Sequence, residues 1–330
     1  MTPASRRFLP LLLAVSALGL SCARKDEAPV APDRKLTIAV IPKGMIHEFW
    51  KSIHAGAVQA SRELGVEIIW KGPQKEDDRA QQITVVEDFI TRGVSGIVLA
   101  PLDDRALVRP VQDAAAEKIP VLIIDSGLEG GGFLSYVATD NFQGGVMAAR
   151  RLGELLAGRG RIFMIRYQEG SASTTEREAG FLETIKRDFP NIALLSQDQY
   201  AGPTTESSYQ LGENLIGRFP DVDGVFCPNE SSTFGMLRAL QESRLAGKVK
   251  FIGFDSSPKL VQGLRDGHIH GLILQNPVKM GYLAVTLMVQ FLRGVKIPEK
   301  VDTGVYLATR ENMDAAEIRG LLSPDLSILD

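Results

Sequence analysis

The sequence predicts an α/β protein made of two doubly wound, parallel-sheet lobes joined by a three-stranded hinge. Three observations predict it. Apolar runs of strand length recur at residues 36–41, 66–70, 96–100, 120–124, 161–165, 192–196, 224–227, 249–254 and 271–275. Stretches with helical spacing lie between most of them, as parallel sheets covered on both faces require. Most of the runs also lead into a polar residue: Lys43, Asp103, Asp125, Asn229, Asp255 and Gln275. In an open parallel sheet ligands bind outside the carboxyl ends of the strands. These polar endings are therefore expected to converge on one cleft, as groups that hydrogen-bond a polyhydroxylated molecule.

The elements follow in order. The first half reads strand 36–41, helix 48–64, strand 66–70, helix 80–92, strand 96–100, helix 105–117, strand 120–124 and a short strand near 136–138. The second half restarts at Asn141 with helix 141–156, strand 161–165, helix 175–188, strand 192–196, helix 206–219, strand 224–227, helix 232–245, strand 249–254, helix 259–266 and strand 271–275. Period supports the helices: Ile83, Val86, Phe89 and Ile90 keep one face. Gly65, Gly93 and Gly294 stand where a helix ends on a residue able to take positive φ. A final helix, 278–293, carries apolar residues on too many sides for an exposed helix and is expected to pack back on the first lobe. The chain would then cross between lobes near residues 139–140, 275–277 and 302–304, which restricts motion to opening and closing.

The first residues read as an export signal. Arg6 and Arg7 precede an apolar core at residues 8–20, too short for a permanent span. The stretch Leu18-Gly19-Leu20-Ser21-Cys22 resembles a bacterial lipobox, with Gly19 where an aliphatic residue is usual. Cys22 is thus the expected lipidation site, and a plain cleaved signal is the alternative. Lipid chains would anchor the protein without spanning the membrane. Residues 23–35 are charged and carry Pro29 and Pro32, which reads as a flexible tether. A net charge of −3 gives no nucleic-acid footprint. With Cys22 lipidated or removed, Cys227 stands alone, so no internal disulfide is expected and the core must hold the fold. Cys227 lies in an apolar run and reads as a small buried hydrophobe. Four histidines make no dense metal-ligand cluster.

Phe49 and Trp50 sit where the first helix leaves its loop, and an aromatic face packs well on the C–H face of a sugar ring. One is expected in the core and the other, Trp50, in the cleft. His47 precedes them and is placed either to donate to a ligand hydroxyl or to cap the helix. His54 reads as a surface residue, and His268 and His270 as structural. The loop 171–175 is rich in hydroxyls, and Ser173 or Thr174 is expected to cap the following helix. Arg177 offers a planar fork of donors. Asp125 and Asp255 offer carboxylates, and Asn229 and Gln275 can both give and accept. Each alone is as well explained by a salt bridge or a cap; their shared place at strand ends favours a ligand. Lys43 reads either as another ligand group or as a surface charge. The glycines at 130–132 precede a strand and no Lys-Ser/Thr, so no phosphate loop is expected. No nucleophile has an orienting base, so no catalytic group, cofactor or metal is expected.

Taken in order, Phe49-Trp50 with Gly56-Ala57, Asp125 after Pro120-Val121, Thr139-Asp140-Asn141 before Gly144-Gly145, Arg177 before Gly180-Phe181, Asn229, Gly253-Phe254-Asp255 and Gln275 resemble the periplasmic solute-binding proteins of the ribose-binding, lac-repressor-like superfamily, periplasmic binding protein type 1. The likeness covers the chain after the tether. It implies that Phe49, Trp50, Asp125, Arg177, Asn229, Asp255 and Gln275 stack on or hydrogen-bond a sugar, and that Asp140 and Asn141 form the hinge. It implies lobes of residues 36–139 plus 276–303 and 140–275 plus 304–330, after a signal at 1–22 and a tether at 23–35. It implies a small sugar or polyol as ligand, no enzyme activity, an ABC permease and its ATPase as partners, and a monomer in the periplasm or cell envelope. Departures from the ribose-specific pattern are His47 for Asn, Ala100 for Asn, and Ser126 for the Arg after the first carboxylate; the Phe near Pro203 is also missing. Ile41-Pro42-Lys43 and Pro228 resemble positions in relatives that bind autoinducer-2, which makes a signal-binding protein that presents its ligand to a membrane chemoreceptor or sensor the alternative. A transcriptional regulator of this fold would carry a helix-turn-helix where this chain has an export signal.

Overall fold

Runs of β-branched and apolar residues alternate with amphipathic helices through residues 35–330, the part of the chain that the computed structural model describes. In order the elements are β1 (Thr37–Ile41), α1 (Glu48–Leu64), β2 (Glu67–Trp70), α2 (Arg79–Arg92), β3 (Gly96–Leu99), α3 (Val108–Ala116), β4 (Val121–Ile124) and β5 (Tyr136–Ala138). Then come α4 (Asn141–Leu155), β6 (Arg159–Met164), α5 (Ala172–Asp188), β7 (Asn191–Ser196), α6 (Thr205–Arg218), β8 (Gly224–Phe226), α7 (Glu230–Glu242), β9 (Lys250–Phe254), α8 (Pro258–Arg265) and β10 (Gly271–Leu274). The last are α9 (Pro277–Leu292), β11 (Lys300–Asp302), β12 (Tyr306–Ala308) and α10 (Ala316–Leu322), followed by a 3₁₀ turn at Ser327–Leu329. The signal, Cys22 and nearly all of the tether lie outside the described residues. Among the described residues no helix is long and apolar enough to cross a membrane.

The strands form two six-stranded sheets, ordered β11-β5-β4-β3-β1-β2 and β12-β10-β9-β8-β6-β7. The same strand order, repeated, makes two lobes of one plan. Apolar clusters cover both faces of each sheet. The expected α/β architecture of two doubly wound lobes is therefore the observed one. One ladder differs from the all-parallel expectation: β12 runs antiparallel to β10. It enters the second sheet from the end where the other strands finish, directly after β11 of the first sheet, so it must run back.

The chain passes between the sheets after β5, before α9 and between β11 and β12. Two of these crossings are tied together, with Thr303 N donating to Ala138 O at 3.0 Å and the Thr139 and Thr303 hydroxyls 3.3 Å apart. Asp140 caps α4 by accepting from Gln143 N at 2.9 Å. The tail leaves the second lobe: the turn Ser327–Leu329 packs on α1 of the first, where Arg62 Nη2 donates to Ile328 O at 2.9 Å. Helical spacing could not show this return, since the tail beyond α10 has no period.

Each lobe packs one pair of helices at backbone contact. A Cβ on Gly56 of α1 would lie 1.9 Å from Val278 O of α9, and one on Gly145 of α4 would lie 2.0 Å from Arg177 O of α5. Glycine at these positions lets the helices close and brings the start of α5 to the cleft. Helix starts shift from the expected ones for local reasons. The Asp103 carboxylate accepts from the Arg105 and Ala106 amides, which holds a turn there and delays α3 to Val108. A capping box between Asn229 and Ser232 starts α7 at Glu230, ahead of the expected Ser232.

Candidate functional site

The loops after β1, β2 and β4 of the first lobe face the loops after β6, β8, β9 and β10 of the second across one cavity of about 40 Å³. Its walls carry Lys43, His47, Phe49, Trp50, Asp125, Arg177, Asn229, Asp255 and Gln275, brought together from positions scattered along the chain. Ser126 is not on the wall. It is buried one residue behind, where its Oγ accepts from Ser173 N at 3.1 Å. Asn141 also lies behind the wall, with Oδ1 accepting from Arg177 Nε at 2.8 Å.

Both aromatics line the cavity, and neither is core alone. Their rings meet edge to face at 5.0 Å. Lys43 is no surface charge: it is 3% exposed and pairs with Asp125 at 3.1 Å. Its Nζ also donates to Ser171 and Ser173 Oγ across the cleft at 3.3 and 3.2 Å. Those hydroxyls therefore do not cap α5, whose first turn begins at Ala172 without a side-chain cap from Ser171. Asp255 does not cap α8 either, since Ser257 does so. Asp255 accepts instead from Gln275 Nε2 at 2.8 Å and from Glu230 N at 3.1 Å. Burial raises its carboxyl above the ordinary value. Both Asp125 and Asp255 sit in the left-handed region, with φ of 62° and 68°. Their backbone turns sharply out of the strand and directs the carboxylate into the cleft.

Arg177 is 2% exposed and lies over the Phe254 ring at 3.9 Å. Nε binds Asn141, and Nη1 donates to Pro228 O at 2.9 Å. Its third nitrogen, Nη2, has no partner, and neither has Gln275 Oε1. Among the described residues only Ser135 Oγ and Thr184 Oγ1 share that condition. So two of the four unpartnered buried polar atoms belong to residues of this cavity. A buried polar group without a partner is costly, and a donor and an acceptor of this kind fit a ligand that both accepts and donates. A hydroxyl does both.

A profile of the periplasmic binding protein domain matches residues 38–296. The chain belongs to the periplasmic binding protein family. The ribose import binding protein of Bacillus subtilis (strain 168) is 27% identical over 279 residues, which are 84% of this chain and 88% of that protein. A solved carbohydrate transporter solute-binding protein from Agrobacterium radiobacter, in complex with D-arabinose, superposes with a TM-score of 0.85 at 34% identity, covering 88% of this chain and all of that one. An ABC transporter solute-binding protein from Agrobacterium vitis with bound D-fucose gives 0.84 at 31%, over 87% of this chain and all of that one.

This periplasmic binding protein carries further cleft residues that the sequence did not single out, Glu76, Tyr167 and Glu230, while Ser173 and Thr174, read from the sequence as helix caps, also line the cavity. Glu76 accepts from Trp50 Nε1 and from the Tyr167 hydroxyl. Glu230 reaches across the cleft to accept from the Glu48 and Phe49 amides at 3.4 and 3.1 Å, at the open end of α1. Burial raises its carboxyl above the ordinary carboxylate range. Glu76 sits in the charged run 75–78, which the sequence did not mark. Tyr167 carried a usable signal, since it follows β6 as Lys43 follows the matching strand β1. The remaining histidines lie away from the cavity. His54 is half-buried rather than on the surface, stacked on Trp70 at 4.5 Å. His270 accepts from Phe251 N at 3.2 Å, and burial lowers it to about 4. Cys227 is free and buried.

Proposed function

We propose that this periplasmic binding protein captures a small sugar or polyol between its lobes and delivers it to an ABC-type importer. One observation carries the reading: Arg177 Nη2 and Gln275 Oε1, a buried donor and a buried acceptor, stand unpartnered at the same cavity. In this reading a ligand oxygen accepts from Arg177 Nη2 and a ligand hydroxyl donates to Gln275 Oε1. Phe49 and Trp50 pack on the C–H faces of the ring. Asp125 and Asp255 accept further hydroxyl protons, with Lys43, His47 and Asn229 completing the wall. Ser126 supports the wall from behind. Asp140 and Asn141 act at the hinge, where Asn141 also fixes Arg177. The relatives named above are a ribose import binding protein and solute-binding proteins holding D-arabinose and D-fucose, which supports a monosaccharide. They give no support to autoinducer-2.

The cellular side of the reading is periplasmic capture by a non-enzymatic monomer, held to the envelope through lipid on Cys22. Delivery goes to a permease and its ATPase, and a membrane chemoreceptor is a further candidate partner. Closing of the lobes on the ligand is what the permease would recognise. A calorimetric titration with D-ribose, D-arabinose, D-fucose and xylitol tests the ligand class. Saturable one-to-one binding of at least one is expected; heat from none of them would sink the reading. For the anchor, Cys22→Ser should release the protein from the membrane fraction, and a soluble unaltered protein would contradict it.

A further inference from the structure

The loop between β6 and α5 is held by the opposite lobe nearly residue by residue. The Tyr167 hydroxyl donates to the Glu76 carboxylate, and Gln168 Nε2 donates to Glu76 O at 2.8 Å. Glu169 O accepts from Arg79 Nη2 at 2.9 Å, and Gly170 O accepts from Asp104 N at 2.9 Å. Ser171 and Ser173 take the Lys43 ammonium, and Ser173 N reaches Ser126. Arg79 is itself held by Asp103 at 2.8 Å. Gly170 permits the approach, because a Cβ there would lie 2.2 Å from Asp103 Oδ2. All of these bonds but the Arg79–Asp103 pair join the two lobes across the cleft mouth.

Glu76 is where this seam meets the cavity wall. It is 7% exposed, and its side chain lies over Gly44, where a Cβ would come 2.6 Å from Glu76 Cγ. One carboxylate thus holds the Trp50 indole of its own lobe and the Tyr167 hydroxyl of the other, with His47 Nε2 at 3.7 Å. We infer that Glu76 is the positioning residue of closure: it ties the Trp50 ring to the second lobe, so that the seam at 167–173 and the aromatic wall lock together. The affinity part of this inference rests on the sugar reading; the closure part does not.

The consequence is a closed form that is populated before ligand arrives. Apparent affinity scales with the fraction of molecules in the binding-competent form. Loosening the seam should therefore weaken binding through faster release. Arg79 lies outside the cavity lining, so its effect cannot come from a lost ligand contact.

The test compares Glu76→Ala, Glu76→Gln, Tyr167→Phe and Arg79→Ala, each in a Trp70→Phe background so that Trp50 is the sole fluorophore of its kind. Ligand-free protein is measured first, by small-angle scattering and by acrylamide quenching of Trp50, with circular dichroism to verify folding. Glu76→Ala and Tyr167→Phe should expand the molecule and expose Trp50, and Glu76→Gln, which keeps an acceptor, should recover most of the loss. Stopped-flow with D-ribose should then show release about tenfold faster for Tyr167→Phe and about threefold faster for Arg79→Ala, with little change in the association rate. Folded variants as compact and as shielded as the parent, without ligand, would overturn the inference. If the parent binds no D-ribose, the failure belongs to the choice of sugar, and the ligand-free comparison still decides whether the seam holds.

Discussion

Asp125 ends β4 of the first lobe and Asp255 ends β9 of the second, at matching places in two sheets of the same order. Their surroundings differ. Asp125 has a buried cation, Lys43, at 3.1 Å. Asp255 has neutral donors, the Gln275 amide and the Glu230 backbone, and burial raises its carboxyl. The first carboxylate is settled by the protein itself. The second shares the cavity with Gln275 and Arg177, whose Oε1 and Nη2 lack partners. One plan, used twice, pairs its carboxylate with a lysine in the first lobe and with amide donors in the second.

The largest expected effect separates these two aspartates. Asp125→Ala leaves the Lys43 ammonium buried and unpaired, which should cost about 3–5 kcal/mol of folding stability. Asp255→Ala leaves neutral donors, the Gln275 amide and the Glu230 N–H, without their acceptor, which should cost less, about 1–3 kcal/mol. Affinity should fall about tenfold to a hundredfold, as the loss of a charge-assisted hydrogen bond implies. Urea unfolding of both variants, with sugar titration of both, checks this. Equal stability losses would break the contrast between the lobes.

A smaller effect tests what the lobes share. Gly56→Ala and Gly145→Ala each drive a methyl group against a facing carbonyl, 1.9 and 2.0 Å from the ideal Cβ. Overpacking of this kind costs about 1–3 kcal/mol. The two variants should lose similar amounts in denaturant melts, because the helix pairs α1–α9 and α4–α5 solve the same packing problem. A loss confined to one lobe would show that the likeness is only topological.

The fold was legible because strands with apolar runs and helices with a 3.6-residue period are local signals, and their alternation fixes the layer order. The polar strand endings were legible for the same reason: topology alone sends Asp125, Asn229, Asp255 and Gln275 to one cleft. Contacts across that cleft were not. Lys43 looks like a surface charge until Asp125, Ser171 and Ser173 surround it, and Glu76 looks like part of a charged run until Trp50 and Tyr167 meet it. These depend on how two lobes face each other, which no local period encodes. The antiparallel β12 escaped notice because it is three residues long and its partner is set by a crossing.

The smallest effect sharpens the contrast in charge. In the second lobe Glu178 is pushed up to about 7 by burial, despite Arg166 at 2.8 Å. A carboxyl raised in the folded state holds its proton better there than in the unfolded chain. Stability from that group is full below its ordinary 4.5 and is lost as pH rises toward about 7. His270, lowered to about 4, works the other way: its contribution is full above 6.5 and is lost as pH falls toward 4. Above pH 6.5 the acidic loss stands unopposed by His270. Glu178→Gln should therefore make the fall above that pH shallower, by at most about 1.4 kcal/mol per unit. Unfolding midpoints measured across pH check the slope; an unchanged slope would contradict the assignment.

The central claim is that Arg177 Nη2, one of the two unpartnered atoms at the cavity, is completed by a sugar oxygen. Arg177→Met keeps much of the length and the packing over Phe254 while removing the donor fork. Isothermal titration of this variant against the sugar bound by the unaltered protein tests the claim most directly. The account predicts a loss of about a hundredfold or more in affinity, with the unaltered protein binding one sugar per chain. Binding of that sugar by Arg177→Met at the unaltered affinity would contradict it.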